Sequence, residues 1–275
     1  MNRIRMIVSD LDGTLLSEDN TLTGDVKDAI QRFRSMGGLF TIATGRIGQS
    51  TKKIVDELDL DIPFILCNGS VLADRQKVWE AAILPLADLA PFLLEAHRQE
   101  LPVLLFEDKV ITAFRYTHDI ELFERKEHVV CNLIDPYTSD WVSKNISVQK
   151  VLVIGDIQRI QEIWHAFRDN FQQNYTTVQS ENDFFEIMPP DQSKGNALRK
   201  LLSHLNIAPS EVMSIGNQLN DLDMIQNAGI GVAVANSHED LKKNADYVCR
   251  KSYGEGVIEA MEKYAKIGPE SRQLS

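Results

Sequence analysis

Ile7-Val8-Ser9-Asp10-Leu11-Asp12-Gly13-Thr14-Leu15-Leu16 decides how the rest of the chain is read. The apolar run Ile4 to Val8 has the character of a short buried strand and ends in two aspartates one residue apart. On an extended chain residues i and i+2 face the same way, so Asp10 and Asp12 leave the strand on one side. Gly13 lets the chain turn sharply, and Thr14 places a hydroxyl beside the acids. Like charges this close must share a cation or a proton, an arrangement that points to chemistry more than to packing. A calcium loop of the EF-hand kind starting at Asp10 would put Leu15 where glycine belongs and Thr21 where glutamate belongs, so it is excluded. The aspartic-protease triplet runs Asp-Thr-Gly, whereas here the order is Asp12-Gly13-Thr14.

Outward from this stretch, strand and helix patterns alternate. Asp25 to Met36 carries Val26, Ala29, Ile30 and Phe33 at helical spacing and ends at Gly37-Gly38. Leu39 to Ala43 predicts a second strand running into Thr44-Gly45-Arg46, Ser50 to Leu58 a helix, and Pro63 to Cys67 a third strand ending at Asn68-Gly69-Ser70. Such alternation predicts a parallel sheet with right-handed crossovers, whose ligands bind at the carboxyl ends of the strands. All three polar turns are therefore expected on one sheet edge.

The pattern then changes. A strand at Val78 to Leu84 and a helix at Leu86 to Gln99 lead to two short strands, Pro102 to Phe106 and Val110 to Phe114, joined at Glu107-Asp108-Lys109. A helix at Asp119 to His128, a polar connection at Asp135 to Asn145, a strand at Val148 to Ile154 and a helix at Gln158 to Phe171 follow. Tyr175 to Gln179 and Phe184 to Met188 form another hairpin pair. We expect a separate α/β domain here, residues 83–187, inserted into a core of residues 1–82 plus 188–275. Pro189-Pro190 stiffens the return. Lys194 opens a helix to Leu205, and Met213 to Ile215 is a strand that stops at Gly216-Asn217-Gln218-Leu219-Asn220-Asp221. A helix at Leu222 to Asn227, strands at Ile230 to Ala235 and Tyr247 to Cys249, and a helix at Val257 to Ala265 complete the chain, with a polar tail after Ile267 expected to fray.

The bulk numbers narrow the function. The 275 residues suffice for one large or two modest domains, and 43% hydrophobic with 25% charged residues is ordinary globular composition. A net charge of −11 argues against sequence-independent nucleic-acid binding and against docking on anionic lipid. No apolar run reaches the length of a secretory core or a membrane span. The three cysteines, Cys67, Cys131 and Cys249, fit no metal or redox spacing and read as reduced thiols of a cytoplasmic protein.

Taken in order, Asp10-Leu11-Asp12-Gly13-Thr14, Thr44, Lys194 and Gly216 to Asp221 resemble the four motifs of the haloacid dehalogenase superfamily. The insertion, the Asn68-Gly69 turn and the Asn220-Asp221 pair resemble its Cof-type phosphatases, which carry an α/β cap domain at this point. The resemblance implies a Rossmann-like parallel-sheet core with a smaller α/β cap inserted. It implies a magnesium-dependent phosphatase acting on a small phosphorylated metabolite, such as a sugar phosphate, as a monomer or weak homo-oligomer. It makes Asp10 the nucleophile that forms an aspartyl-phosphate and Asp12 the general acid and base. Thr44 and the amide of Gly45 hold phosphoryl oxygens, and Lys194 offsets charge. Substrate-binding roles fall on Thr14, Gly45, Arg46, Asn68, Gly69 and Asn220, and the magnesium donors on Asp10, Asp12, Asn217 and Asp221. The fourth motif of the branch ordinarily opens Gly-Asp, and here it is Gly216-Asn217, so the site loses a negative charge. A phosphomutase, or a weakened phosphometabolite-binding protein, are the alternatives.

Overall fold

The structure, a computed structural model, describes residues 3–107, 109–138, 140–142 and 147–267. The expected fraying after Ile267 and parts of the Glu107–Lys109 turn and the Asp135–Asn145 connection lie outside them. In chain order the first five strands are β1 (Met6–Ser9), β2 (Leu39–Ile42), β3 (Phe64–Leu66), β4 (Val71–Ala73) and β5 (Val78–Ala81). Then come β6 (Val103–Phe106), β7 (Ile111–Ala113), β8 (Cys131–Leu133), β9 (Lys150–Ile154), β10 (Thr176–Gln179) and β11 (Phe184–Met188). The last strands are β12 (Val212–Gly216), β13 (Ile230–Ala233) and β14 (Tyr247–Val248). The helices are α1 (Gly24–Ser35), α2 (Gly48–Glu57), α3 (Leu86–Arg98), α4 (His118–Glu127), α5 (Ile157–Phe167), α6 (Lys194–Leu205), α7 (Leu222–Gln226), α8 (Glu239–Asn244) and α9 (Tyr253–Tyr264).

The chain divides into two compact units. The first takes residues up to Thr44, Ile54–Phe64 and those from Lys194 on; the second takes Gly45–Lys53 and Ile65–Ser193. The segment 83–187, expected as an insert, falls inside the second unit, which also takes in residues on either side of it.

A five-stranded sheet, ordered β14-β13-β12-β1-β2 and parallel throughout, organises the first unit. The chain steps from β1 outward to β2 on one side, then returns to fill the other side from β12. The strand order therefore reverses between β1 and β12, and the carboxyl ends there open a crevice of the kind that binds ligands. All four residues of β1 are buried, as a strand covered on both faces requires. Helix α1 turns Val26, Ala29, Ile30 and Phe33 inward and is capped by Thr23, whose hydroxyl accepts from the Val26 amide.

In the second unit a six-stranded sheet runs β10-β11-β9-β6-β7-β8, antiparallel except for the β7–β8 pair. Residues of α3 and α5, among them Leu89, Phe92, Leu93, Ile160 and Trp164, pack with Val103, Val151, Val153, Phe185 and Ile187 into its core. One expectation fails here. Strand β3 does not extend the parallel sheet; it belongs to a three-stranded sheet with β4 and β5. The cause is local: Val71 to Ala73 follows the Asn68–Ser70 turn at once, and β5 folds back antiparallel onto it. The Asn68-Gly69 turn consequently belongs to a different sheet from the turns after β1 and β2.

Candidate active site

Asp10 follows β1, which lies between β12 and β2 in the parallel sheet. Its amide still donates to the Ile215 carbonyl of β12 (2.9 Å), so the ladder fixes its backbone, and the residue is only 4% exposed. Gly13 then takes a left-handed conformation (φ 76°). A Cβ there would lie 2.2 Å from Asn217 Nδ2, so position 13 needs glycine for space as well as for its backbone. The Gly13 carbonyl accepts from Asn236 Nδ2 (2.8 Å), which ties the turn to the loop after β13. Thr14 is buried and donates its hydroxyl to Asn217 Oδ1 (3.1 Å).

Lys194, the first residue of α6, is 1% exposed. Its Nζ donates to Asp10 Oδ1 and to Asp221 Oδ1, each at 2.6 Å. Asp221 is fully buried, and its Oδ2 accepts from the Asn217 amide (2.9 Å) and the Gln218 amide (3.0 Å). Asp221 therefore braces both the 217–218 turn and the lysine. Asn220 lies in the same turn, Leu219–Asp221. Thr44 is buried just past β2, where the Ala43 amide continues the ladder to the Ser9 carbonyl.

The electrostatics follow from this packing. Burial pushes the Asp10 carboxyl up to about 7; Lys194 opposes the shift, while Asp221 and Asp12 add to it. Burial works against the Lys194 ammonium too, but Asp10 and Asp221 together outweigh it and hold the lysine above its ordinary value. One ammonium facing several carboxyls leaves the cluster short of positive charge. Its candidate metal donors are hard oxygens: the Asp10 carboxylate, Asn217 Oδ1, which also accepts from Thr14, and the Asp12 carbonyl two residues along from Asp10. Among the described residues no three acidic, histidine or cysteine side chains form a ready cage. That set suits magnesium, which takes one or two carboxylates and keeps several waters.

The other anticipated residues lie in the second unit and are held there by Glu127, Glu186 and Lys150 of the same unit. The Arg46 guanidinium is buried and pairs with Glu127 (3.5 Å). Asn68 and Gly69 are both left-handed, with φ of 52° and 99°. The Asn68 amide donates to Glu186, and the Gly45 carbonyl accepts from Lys150 Nζ (2.8 Å). Sequence reasoning missed Lys150, Glu186 and Asn236. The first two had a signal, a charged residue within an apolar strand run: Gln149-Lys150-Val151-Leu152 and Phe185-Glu186-Ile187.

Fold and cluster together define an α/β enzyme with an aspartate–lysine centre at the switch point of a parallel sheet. The chain belongs to the haloacid dehalogenase-like hydrolase family, whose description matches residues 7–261. It is similar to the Bacillus subtilis (strain 168) protein YxeH, 29% identical over 94% of this chain and 97% of that one. It is also similar to the 5-amino-6-(5-phospho-D-ribitylamino)uracil phosphatase YwtE of the same organism, 27% identical over 92% of this chain and 96% of that one. A crystal structure of a haloacid dehalogenase-like hydrolase from Bacteroides thetaiotaomicron superimposes with a TM-score of 0.80, at 25% identity, over 95% of this chain and 99% of that one.

Proposed function

We propose that this haloacid dehalogenase-like phosphatase hydrolyses a small, soluble phosphate monoester through an aspartyl-phosphate on Asp10, with magnesium as cofactor. The observation that carries this reading is the placement of Lys194 between Asp10 and Asp221, both at 2.6 Å. The lysine holds Asp10 Oδ1 and so orients the carboxylate, whose second oxygen is the attacking atom. That oxygen forms a bond to phosphorus as the bond to the leaving alkoxide breaks, and Asp12 protonates the alkoxide. Asp12 then takes a proton from water, whose oxygen displaces Asp10 and releases inorganic phosphate.

Asp10, the Asp12 carbonyl and Asn217 would hold magnesium, which supplies charge neutralisation between the nucleophile and the phosphoryl oxygens. Asp221 serves as anchor of the lysine and of the 217–218 turn. The Thr44 hydroxyl and the adjoining backbone amide receive phosphoryl oxygens, and Thr14 orients the Asn217 carboxamide. Arg46, Asn68, Gly69 and Asn220 are our candidates for contacts that sort substrates. A phosphorylated sugar or polyol is the favoured class, since YwtE by its name acts on a phosphoribityl compound. Among the described residues no helix is long and apolar enough to cross a membrane, and Cys67, Cys131 and Cys249 are buried. Both facts favour a cytoplasmic site of action.

The test is phosphate release across sugar phosphates, nucleotides and phosphorylated cofactors, with and without magnesium. Beryllium trifluoride, which mimics an aspartyl-phosphate, should bind the wild type and not Asp10→Asn. Turnover that survives Asp10→Asn sinks the covalent route.

A further inference from the structure

The second unit buries an ion pair that the chemistry above does not use. Lys150 and Glu186 have side chains 4% exposed, with Nζ and Oε1 3.1 Å apart. Strand alternation explains their placement. Val151 and Val153 of β9, and Phe185 and Ile187 of β11, face the helices α3 and α5. Lys150 and Glu186 therefore point to the opposite face. There Glu186 sits opposite Leu152, two residues from Lys150.

What the pair touches is more telling than the pair itself. Lys150 Nζ donates to the Gly45 carbonyl (2.8 Å) and lies over the Phe106 ring at 4.4 Å. Glu186 accepts from the Asn68 amide and from the Ser180 hydroxyl (2.9 Å). The Asn68 side chain also packs against Gly45, where a Cβ would lie 3.2 Å from its Oδ1 and 3.3 Å from its Nδ2. The hydrogen bonds run from Asn68 to Glu186, to Lys150 and on to Gly45, and the Asn68 side chain lies back against that glycine. The following peptide is fastened too, since the Arg46 carbonyl accepts from the Cys67 amide (3.0 Å).

We infer that Lys150 and Glu186 are positioning residues for the phosphatase reaction, acting through the backbone of the Thr44–Arg46 turn. In a trans peptide the carbonyl and the next N–H point in opposite directions. By holding the Gly45 carbonyl, Lys150 sets the plane of the 45–46 peptide, the next along the chain from the 44–45 peptide whose amide is assigned to the phosphoryl oxygens. A stabilising role explains the pair poorly. Burying two charges costs more than apolar side chains of similar volume, and exchanging such a pair for apolar residues is often neutral or favourable. What apolar residues lack is a donor aimed at the Gly45 carbonyl.

The inference rests on the function proposed above, and its test separates the two. The double variant Lys150→Met/Glu186→Leu removes both charges without leaving either buried alone. Thermal unfolding, hydrogen–deuterium exchange over residues 44–47 without substrate, and kcat and KM on p-nitrophenyl phosphate and several sugar phosphates are compared with wild type. We expect a melting temperature within a few degrees of wild type, and exchange in the turn faster by about tenfold or more. We expect kcat to fall about ten- to a hundredfold, by a similar factor for every ester, as slight misplacement of a reacting group does. Unchanged exchange, or unchanged kcat, overturns the inference. So does a loss that varies from ester to ester, which would place Lys150 against the leaving group. If the double variant does not fold, Glu186→Gln keeps the shape and removes one charge, and the same exchange measurement decides. Wild-type protein inactive on every ester would sink the phosphatase mechanism, while the exchange result would still settle whether the pair orders the turn.

Discussion

Asp10→Asn should inactivate the enzyme and also make the metal-free protein more stable, at one end of the pH scale only. Burial pushes the Asp10 carboxyl from its ordinary 3.8 up to about 7, despite Lys194 at 2.6 Å. A carboxyl whose pKa is raised in the folded state holds its proton better there than in the unfolded chain. Its contribution to stability is intact below about 4, declines as the pH rises, and is fully lost above about 7. Ionising that buried carboxyl at pH 8 costs the fold on the order of 4 kcal/mol. Asparagine keeps the shape, can still accept from Lys194, and does not ionise. The variant should therefore exceed wild type by up to about 4 kcal/mol at pH 8 in chelator, or ~10 °C in melting temperature for a protein of this size. The gap should close near pH 4. Added magnesium should raise the wild type and leave the variant almost unmoved, because only a bound ligand stabilises. Thermal unfolding of both proteins from pH 4 to 9, with chelator and with magnesium, reads all of this. A variant less stable than wild type at pH 8, or a gap that widens toward acid, would refute the reasoning.

Three further outcomes follow from the same geometry. Lys194→Met leaves Asp10 and Asp221 buried without their shared cation, so denaturant unfolding at pH 8 should show a loss of about 3–5 kcal/mol, easing as the pH falls. Gly13→Ala forces a left-handed backbone on alanine and drives its Cβ against Asn217 Nδ2, 2.2 Å away; stability should drop by about 1–3 kcal/mol and phosphate release should cease. Asn217→Asp should lower the magnesium concentration for half-maximal rate by about tenfold, or roughly 1.4 kcal/mol.

How much of this was legible in the sequence depends on whether the deciding contacts are local. Asp10 could be located because an apolar run meets an acid within a few residues, and the strand lies where that run predicts, shifted to Met6–Ser9. Lys194 was a lone lysine at a helix start; what sets it apart is 1% exposure between two carboxylates, made by residues 184 positions before it and 27 after it. The third strand was recognised as a strand but assigned to the wrong sheet, because a three-residue run does not say what it pairs with. Strands β4 and β8 were invisible for the same reason of length. Helix α8 buries only Leu241 and has no apolar stripe to announce it. Lys150 and Glu186 stand out as charges within apolar strand runs, but nothing local says that they meet each other or Gly45.

The amide at position 217 reads differently once charges are counted. Lys194 brings one positive charge to Asp10 and Asp221, and Asp12 adds a further carboxyl to the surroundings of Asp10. A divalent cation added to one ammonium and those three carboxylates gives a neutral cluster, whereas a fourth carboxylate at 217 would leave it negative. The substrate arrives as a phosphate dianion, and a neutral site receives it better than an anionic one. On this reading Asn217 gives up part of the hold on the cation and gains hold on the anion. The local geometry favours a clean test, since Thr14 donates to Asn217 Oδ1 and would donate equally to a carboxylate. Asn217→Asp should then bind magnesium more tightly and inorganic phosphate more weakly, both read by calorimetry. Damage to the fold would weaken both together, so opposite signs are the signature that separates a change of charge from a loss of structure.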